Sequence, residues 1–247
     1  MTKPLLSIIT VCYNEIERIK LTCESIVNQT MQDFEWIVLD GGSTDGTLDV
    51  LSKYRHCMSY FKTGPDGGIY AAMNQGIEIA QGEYCLFLNG GDSLYQNDTI
   101  EKVSPYLIDS HGLLIGQVHI IISEKKAVIF GKPSWPRWYF LIWCPPHQST
   151  LCKTDILKSF GGFDTSYKIL ADFNFVLSAI HNSVQIKSIP VIVSNFYYDG
   201  LSQTAKTLRI QEDRHIKKKY FSYFERMIGW LIIRYVVPIR RFLLKQV

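Results

Sequence analysis

Four short apolar runs, each halted by a polar or glycine-rich cluster, most constrain what this chain can fold into. They lie at residues 5–11, 36–39, 58–61 and 84–88. Their length suits strands, and their continuous apolar character suits strands buried in a core. Between them, residues 15–29, 44–54 and 68–80 carry apolar side chains at helical spacing. Strand and helix in strict alternation predict βαβ units, and hence an α/β fold with a mainly parallel central sheet flanked by helices. Beyond residue 92 the regularity fades. Residues 113–122 and 127–130 predict added strands, residues 134–146 are rich in aromatics and proline, and residues 172–181 predict a helix.

In such sheets ligands bind beyond the carboxyl ends of the strands. Those positions hold Tyr13-Asn14-Glu15, Asp40-Gly41-Gly42-Ser43, Gly64-Pro65-Asp66-Gly67 and Asn89-Gly90-Gly91-Asp92. Three of the four clusters carry an aspartate. The GGSTDGT stretch at 41–47 lacks both the GxGxxG fingerprint of dinucleotide sites and the GK[ST] ending of a P-loop. It reads instead as a loop leading into a helix, with Ser43 or Thr44 as N-cap and Asp45 favouring the helix dipole. Asp40 differs because it ends an apolar strand.

A chain of 247 residues with 47% hydrophobic content can bury one large core. Its six cysteines form no CxxC pair, which argues against a zinc site or a disulfide framework. The first apolar run turns polar at Asn14 too soon for a signal peptide and reads as a strand. The net charge of +3 conceals an asymmetry: residues 205–247 hold eleven Lys or Arg against three Asp or Glu, which leaves residues 1–204 at −5. A basic segment on a mildly acidic body suggests an anionic surface as partner.

SIITVCYNE, IVLDGGSTDGT, PDGGIYAAMNQGIEIAQGEYCLFLNGGD, HQSTL and GGFDTSYKILADFNF occur in that order. Together they resemble the inverting glycosyltransferases of family 2, and most closely the bacterial enzymes of colanic acid, capsule and O-antigen synthesis. The resemblance spans roughly residues 4–180 and implies a GT-A nucleotide-diphospho-sugar transferase fold. It implies that Tyr13, Asn14, Glu15, Asp40 and Asp66 contact a nucleotide sugar, most commonly UDP-linked. It implies that Asp92 ends the family's Asp-x-Asp region and holds Mg2+ or Mn2+. Asn89 offers only a neutral amide oxygen there, yet such an ion commonly takes one or two carboxylates plus substrate phosphates. Asp172 matches the family's general base, which takes the proton of an acceptor hydroxyl. His147 and Gln148, after the aromatic segment, match an acceptor-side position. The chain departs from the family where relatives carry Asp-Asp-Gly-Ser, at residues 40–43, and where many carry Asp, at Ala71. Those departures leave open a non-catalytic sugar-nucleotide-binding protein on the same fold. A nucleotidyltransferase is disfavoured, because no glycine-rich loop bearing Arg and Lys precedes the first helix.

The resemblance further implies a polyprenyl diphosphate-linked saccharide acceptor and a cytoplasmic enzyme peripheral on the inner face of the bacterial plasma membrane. No nucleic-acid partner is expected. Past Leu201 the pattern alone speaks. Phe221, Phe224, Ile228, Leu231, Ile232, Tyr235, Ile239 and Leu243 recur at helical spacing, with Arg226, Arg234, Arg240, Arg241 and Lys245 mainly opposite and Pro238 as an interruption. Two units are therefore expected: a GT-A domain over 1–204, and over 205–247 a basic amphipathic helical tail able to lie on anionic lipid. The apolar run broken by Arg234 is too short to span a bilayer.

Overall fold

The computed structural model describes residues 3–108, 111–123, 126–132, 134–197 and 205–236. Its centre is β1 (Leu6–Cys12), whose seven residues are all buried. It pairs in parallel with β2 (Phe34–Asp40) on one side and with β4 (Tyr84–Phe87) on the other. Burial on both faces explains the continuous apolar runs. Alternation divides β1 between two cores: Ile9 and Val11 pack with Ile37, Met73, Phe87 and Phe173, while Leu6 and Ile8 pack with Ile26, Trp36, Val38 and Leu86.

The sheet runs β3-β2-β1-β4-β8-β6-β9-β5, with β7 on β6. The remaining strands are β3 (Tyr60–Thr63), β5 (Ser93–Leu94), β6 (Leu113–Ser123), β7 (Lys126–Phe130), β8 (Thr150–Lys153) and β9 (Ile186–Tyr197). β5, β7 and β8 run against the other six, so the sheet is mixed with a parallel half, β3-β2-β1-β4. The helices are α1 (Ile19–Val27), α2 (Thr47–Lys53), α3 (Ile69–Ile79), α4 (Thr99–Leu107), α5 (Thr154–Ser159), α6 (Ala171–His181), α7 (Lys206–Tyr220) and α8 (Tyr223–Leu231).

Register places the site. Cys12 lies opposite Asp40, and Asp40 opposite Thr63, so three strand ends finish level. β4 stops earlier, but the chain stays alongside β1 through Leu88 N–H to Ile9 C=O (3.0 Å) and Gly90 N–H to Val11 C=O (2.9 Å). Residues 89–92 therefore emerge beside residues 13–15.

Helix starts differ from expectation, and each difference has a local cause. α1 begins at Ile19 rather than near residue 15, because Asn14 takes a left-handed φ of 53° and the following backbone is held elsewhere. Ser43 and Thr44 do not cap α2: Gly46 stands at its N-cap, and Ser43 is spent on Asp40. At α3 the N-cap is Gly68, and Asp66 accepts its N–H (2.7 Å). Near the C-terminus the expected amphipathic helix begins at Tyr223 rather than at Phe221, after a break in the chain's helical course. α7 ends at Tyr220, Phe221 is extended and buried, and Ser222 starts α8 with a capping box closed by Glu225.

α7 packs on the body. Ile216, Tyr220 and Phe221 join the core shared with α6, while Glu212 is buried at 7% exposure. The expected boundary at 204/205 adjoins residues outside the description, as do Pro238, Ile239, Arg240, Arg241, Leu243 and Lys245. Among the described residues no helix is long and apolar enough to cross a membrane.

Candidate active site

The first wall of the site is the loop after β2. Asp40 is 2% exposed, and its carboxylate accepts from the N–H of Gly42 and Ser43 (both 2.9 Å), from Ser43 Oγ (2.5 Å) and from Thr63 Oγ1 (2.7 Å). The positive φ of Gly42, 88°, lets both amides turn toward one carboxylate. Burial pushes the Asp40 carboxyl up, but the Ser43 and Thr63 hydroxyls and the two amides outweigh it and hold the group below its usual value. Four short donors fill a carboxylate's capacity. Asp40 thus shapes the loop from inside.

That loop in turn clamps the end of β1. Asn14 N–H donates to Ser43 Oγ (2.8 Å), Glu15 N–H to Thr47 Oγ1 (2.9 Å) and Ile16 N–H to Asp45 Oδ2 (3.0 Å), while Thr44 N–H donates to Asn14 Oδ1 (2.9 Å). The side chains of Ser43, Asp45 and Thr47 are therefore the acceptors for the 14–16 backbone. Tyr13 is left 61% exposed. A Cβ added to Gly41 would lie 3.1 Å from an Asp66 carboxylate oxygen and 3.3 Å from the Tyr13 side chain, so Tyr13, Asp66 and the bare Gly41 backbone form one surface.

The second wall is the turn after β4. Asp92 N–H donates to Asn89 C=O (3.0 Å), and Thr22 of α1 pins the turn by donating to Asp92 C=O (2.6 Å) and accepting from Gly91 N–H (3.0 Å). Gly91, at φ 94°, supplies the left-handed step. Asp92 is 7% exposed and its Oδ2 accepts from Gln148 Nε2 (3.1 Å). Burial pushes its carboxyl up to about 7, against the pull of His147, Gln148 and Arg18 and with the help of Glu15. Glu15 stands close: a Cβ on Gly91 would sit 3.3 Å from its Oε2.

A hydrogen-bonded line joins this turn to α6. Asn89 Nδ2 lies 3.1 Å from His147 Nε2, and His147 Nδ1 lies 3.0 Å from Asp172 Oδ2. Asp172 Oδ1 accepts from Tyr70 O–H (3.1 Å) and Phe173 N–H (2.8 Å). With the Asn89 amide donating to Nε2, the proton sits on Nδ1 and points at Asp172. Burial pulls the His147 imidazole down, but the hydrogen bond and charge of Asp172, together with the charge of Asp92, raise it above its usual value. Asn89 Oδ1 is buried without a hydrogen-bond partner. A half-turn of that amide lets Oδ1 accept from a protonated ring, so the line serves both charge states of the histidine.

The nine expected site residues thus fall into two groups. Asp92, His147, Gln148 and Asp172 meet in one network; Tyr13, Asn14, Glu15, Asp40 and Asp66 line the strand ends next to it. Asp172 is no helix cap: Leu170 holds the N-cap, and Asp172 lies in the first turn at 9% exposure. Sequence reasoning passed over Tyr70. Its O–H also donates to Ile169 C=O (2.7 Å), and the sequence signal was a tyrosine in the GIYAAMN helix start, where attention fell on Ala71. Among the described residues, no three His, Cys, Asp or Glu could hold a metal ion together. What fits a divalent ion is a partial site, with the Asp92 carboxylate and the partnerless oxygen of Asn89 at one turn and the remaining ligands left to a substrate.

A mixed α/β sheet with acidic strand ends, faced by a carboxylate on a neighbouring helix, is the architecture of a GT-A glycosyltransferase. The chain belongs to glycosyl transferase family 2, whose model matches residues 7–158. A PGL/p-HBAD biosynthesis glycosyltransferase of Mycobacterium bovis is 29% identical over 210 residues, which is 83% of this chain and 81% of that protein. The fold is similar to that of S. aureus TarS 1-349 in complex with UDP: the TM-score is 0.65 at 22% identity, covering 78% of this chain and 60% of that one. It is likewise similar to the mannosyltransferase PcManGT from Pyrobaculum calidifontis in complex with GDP-Man and Mn2+, with a TM-score of 0.68 at 18% identity, covering 89% and 64%.

The burial of Asp92 has a stability consequence. Its carboxyl binds a proton more tightly in the folded protein than in the unfolded chain, so stability is lost as pH rises from about 4 to about 7. The gap between 3.8 and about 7 corresponds to something on the order of 4 kcal/mol at pH 8. Asp92→Asn should therefore unfold at higher denaturant than the parent at pH 8, with the gain vanishing near pH 4. Urea titrations at the two pH values, without added metal or nucleotide, check this.

Proposed function

We propose that this glycosyltransferase inverts configuration, moving a sugar from a nucleotide diphosphate donor, UDP-linked, to a hydroxyl of a lipid-linked saccharide. The observation that carries the reading is the Asn89–His147–Asp172 line, which ties a base candidate to the strand end that would face the departing diphosphate. The solved relatives support a nucleotide sugar, since one was captured with UDP and another with GDP-Man and Mn2+.

The chemistry follows from the free lone pairs. Asp172 Oδ1 already accepts two bonds and Oδ2 one, from His147, so Oδ2 keeps the capacity for a substrate proton. The acceptor O–H bond breaks toward Oδ2 as its oxygen bonds to the anomeric carbon. The carbon–phosphate-oxygen bond breaks on the opposite face and the nucleoside diphosphate leaves. His147 holds Oδ2 in position and stabilises its charge. Asp92 and the Asn89 oxygen would hold Mg2+ or Mn2+ together with the diphosphate, and that ion would offset the leaving group's negative charge. Tyr13, Asp66 and Gly41 offer a ring, a carboxylate and bare backbone to the nucleoside, with Asn14 and Glu15 beside them.

A screen of UDP-, GDP- and dTDP-sugars with Mn2+ and a polyprenyl diphosphate-linked acceptor should yield nucleoside diphosphate with one donor class. Asp172→Asn should then cut kcat at least 100-fold. No release with any donor would leave the non-catalytic binding protein as the reading, and full turnover by Asp172→Asn would remove Asp172 as base. Mn2+ should bind the free protein weakly and at least tenfold more tightly with UDP present, by calorimetry. Equal affinities would rule out a site shared with the diphosphate.

The lipid side rests on α8. Tyr223, Phe224 and Trp230 are 76%, 64% and 54% exposed, beside Met227, Ile228 and Leu231, in a helix that packs through Gly229 against Leu141. Exposed aromatics interspersed with Arg226 and Arg234 suit the headgroup region of an anionic bilayer. The membrane element of this proposal therefore starts at 222, because α7 before it supplies core. Phe224→Ser combined with Trp230→Ser should lower co-sedimentation with phosphatidylglycerol vesicles at least fivefold without changing the melting temperature. Undiminished binding would exclude α8 as the anchor.

A further inference from the structure

α7 reaches the first turn of α6 through a buried acid. Glu212, 7% exposed, accepts three consecutive backbone N–H groups: Lys168 at Oε1 (2.7 Å), and Ile169 (3.0 Å) and Leu170 (2.9 Å) at Oε2. These amides end at Leu170, the N-cap of α6, two residues before Asp172. Ile169 C=O meanwhile accepts the same Tyr70 O–H that bonds Asp172 (2.7 and 3.1 Å). On the far side of Asp172, Asn174 Oδ1 accepts from Tyr220 O–H (3.2 Å) and Lys219 Nζ (3.5 Å), both contributed by α7. Asp172 thus lies between two points at which α7 grips the chain.

A carboxylate that accepts three backbone amides fixes three peptide planes at once, through charge-assisted bonds. Leu170 offers no capping side chain to α6, and its own N–H, at the mouth of the helix, is one of the three that Glu212 accepts. Glu212 thus holds, from another helix, the three residues that lead into α6 rather than the amides of its first turn.

We propose that Glu212 is a positioning residue for glycosyl transfer: it sets the 168–170 backbone so that Asp172 Oδ2 faces the acceptor hydroxyl. The inference rests on Asp172 being the base. It enlarges the catalytic unit to a helix outside the 7–158 span of the family model.

Three variants test it in the full-length chain. Glu212→Gln keeps the shape but leaves a single acceptor oxygen for three amides, and Glu212→Ala removes both. Ile216→Ala opens a cavity in the same helix and removes none of the three bonds from Glu212 to residues 168–170. Hydrogen exchange followed by mass spectrometry on peptides spanning 165–175 should be at least tenfold faster in Glu212→Gln than in Ile216→Ala. With the donor identified by the nucleoside diphosphate screen, Glu212→Gln should lower kcat tenfold or more at unchanged donor KM, and Glu212→Ala further. Ile216→Ala should stay within about twofold of the parent. Slow exchange at 168–170 in Glu212→Gln, or kcat falling no more than in Ile216→Ala, would overturn the positioning role even if Asp172→Asn is inactive. Full turnover by Asp172→Asn would instead overturn the base assignment, and the positioning role with it.

Discussion

The contact between His147 Nδ1 and Asp172 Oδ2, 3.0 Å long, is the interaction on which the rest of the site depends. Asp172 stands on α6 and Asn89 after β4, and nothing in the parallel half of the sheet brings them together. The connection is made by β8, which lies antiparallel on β4 and delivers residues 147–149 to the end of that strand. One imidazole then spans the gap, with a nitrogen for each side. Because the pair is buried, loss of either partner would leave the other unsatisfied, a cost of about 1–3 kcal/mol that holds the two walls in register.

Two strand-end aspartates differ in how fully the protein solvates them. Asp40 and Asp92 are similarly buried, at 2% and 7%. Asp40 receives four short donors and stays easily ionised; Asp92 receives one from Gln148, and its carboxyl rises to about 7. The poorly solvated carboxylate is the one with most to gain from an external cation, and the well-solvated one has little left to offer a ligand. The resemblance to family 2 weights both aspartates for function. Their hydrogen bonds build Asp40 into the loop and leave Asp92 with a single side-chain donor.

The parallel half of the sheet was legible in the sequence because burial on both faces leaves continuous apolar runs, and β1, β2 and β4 all have them. In the second half β6 and β7 were legible too, at 113–122 and 127–130, but β9 was not. β9 contains Lys187, Ser188 and Pro190 within its span, and no apolar pattern survives that interruption. Its pairing with β6 shifts register between Ile115 and Gln117, so that Ile192 follows Ser188 in the ladder and Pro190 falls in the irregular stretch. β5 and β8, of two and four residues, are too short for periodicity to register. At the candidate site, Asp92, His147 and Asp172 were singled out by motif. Tyr70 was not, because its partnership with Asp172 spans 102 residues and leaves no local mark.

Glu212 marks the limit of motif reading for a physical reason. Its partners are backbone amides of residues 168–170, and every residue but proline offers the same N–H, so the side chains at those positions carry no trace of the contact. In its own segment it is one of three acids among eleven basic residues, and the surplus of positive charge draws attention to surfaces rather than to a buried carboxylate. Buried without those three donors, an ionised glutamate would face a desolvation cost of several kcal/mol. Its burial and its three bonds therefore imply each other, and α7 is held to the body by the same contact that orders the approach to Asp172.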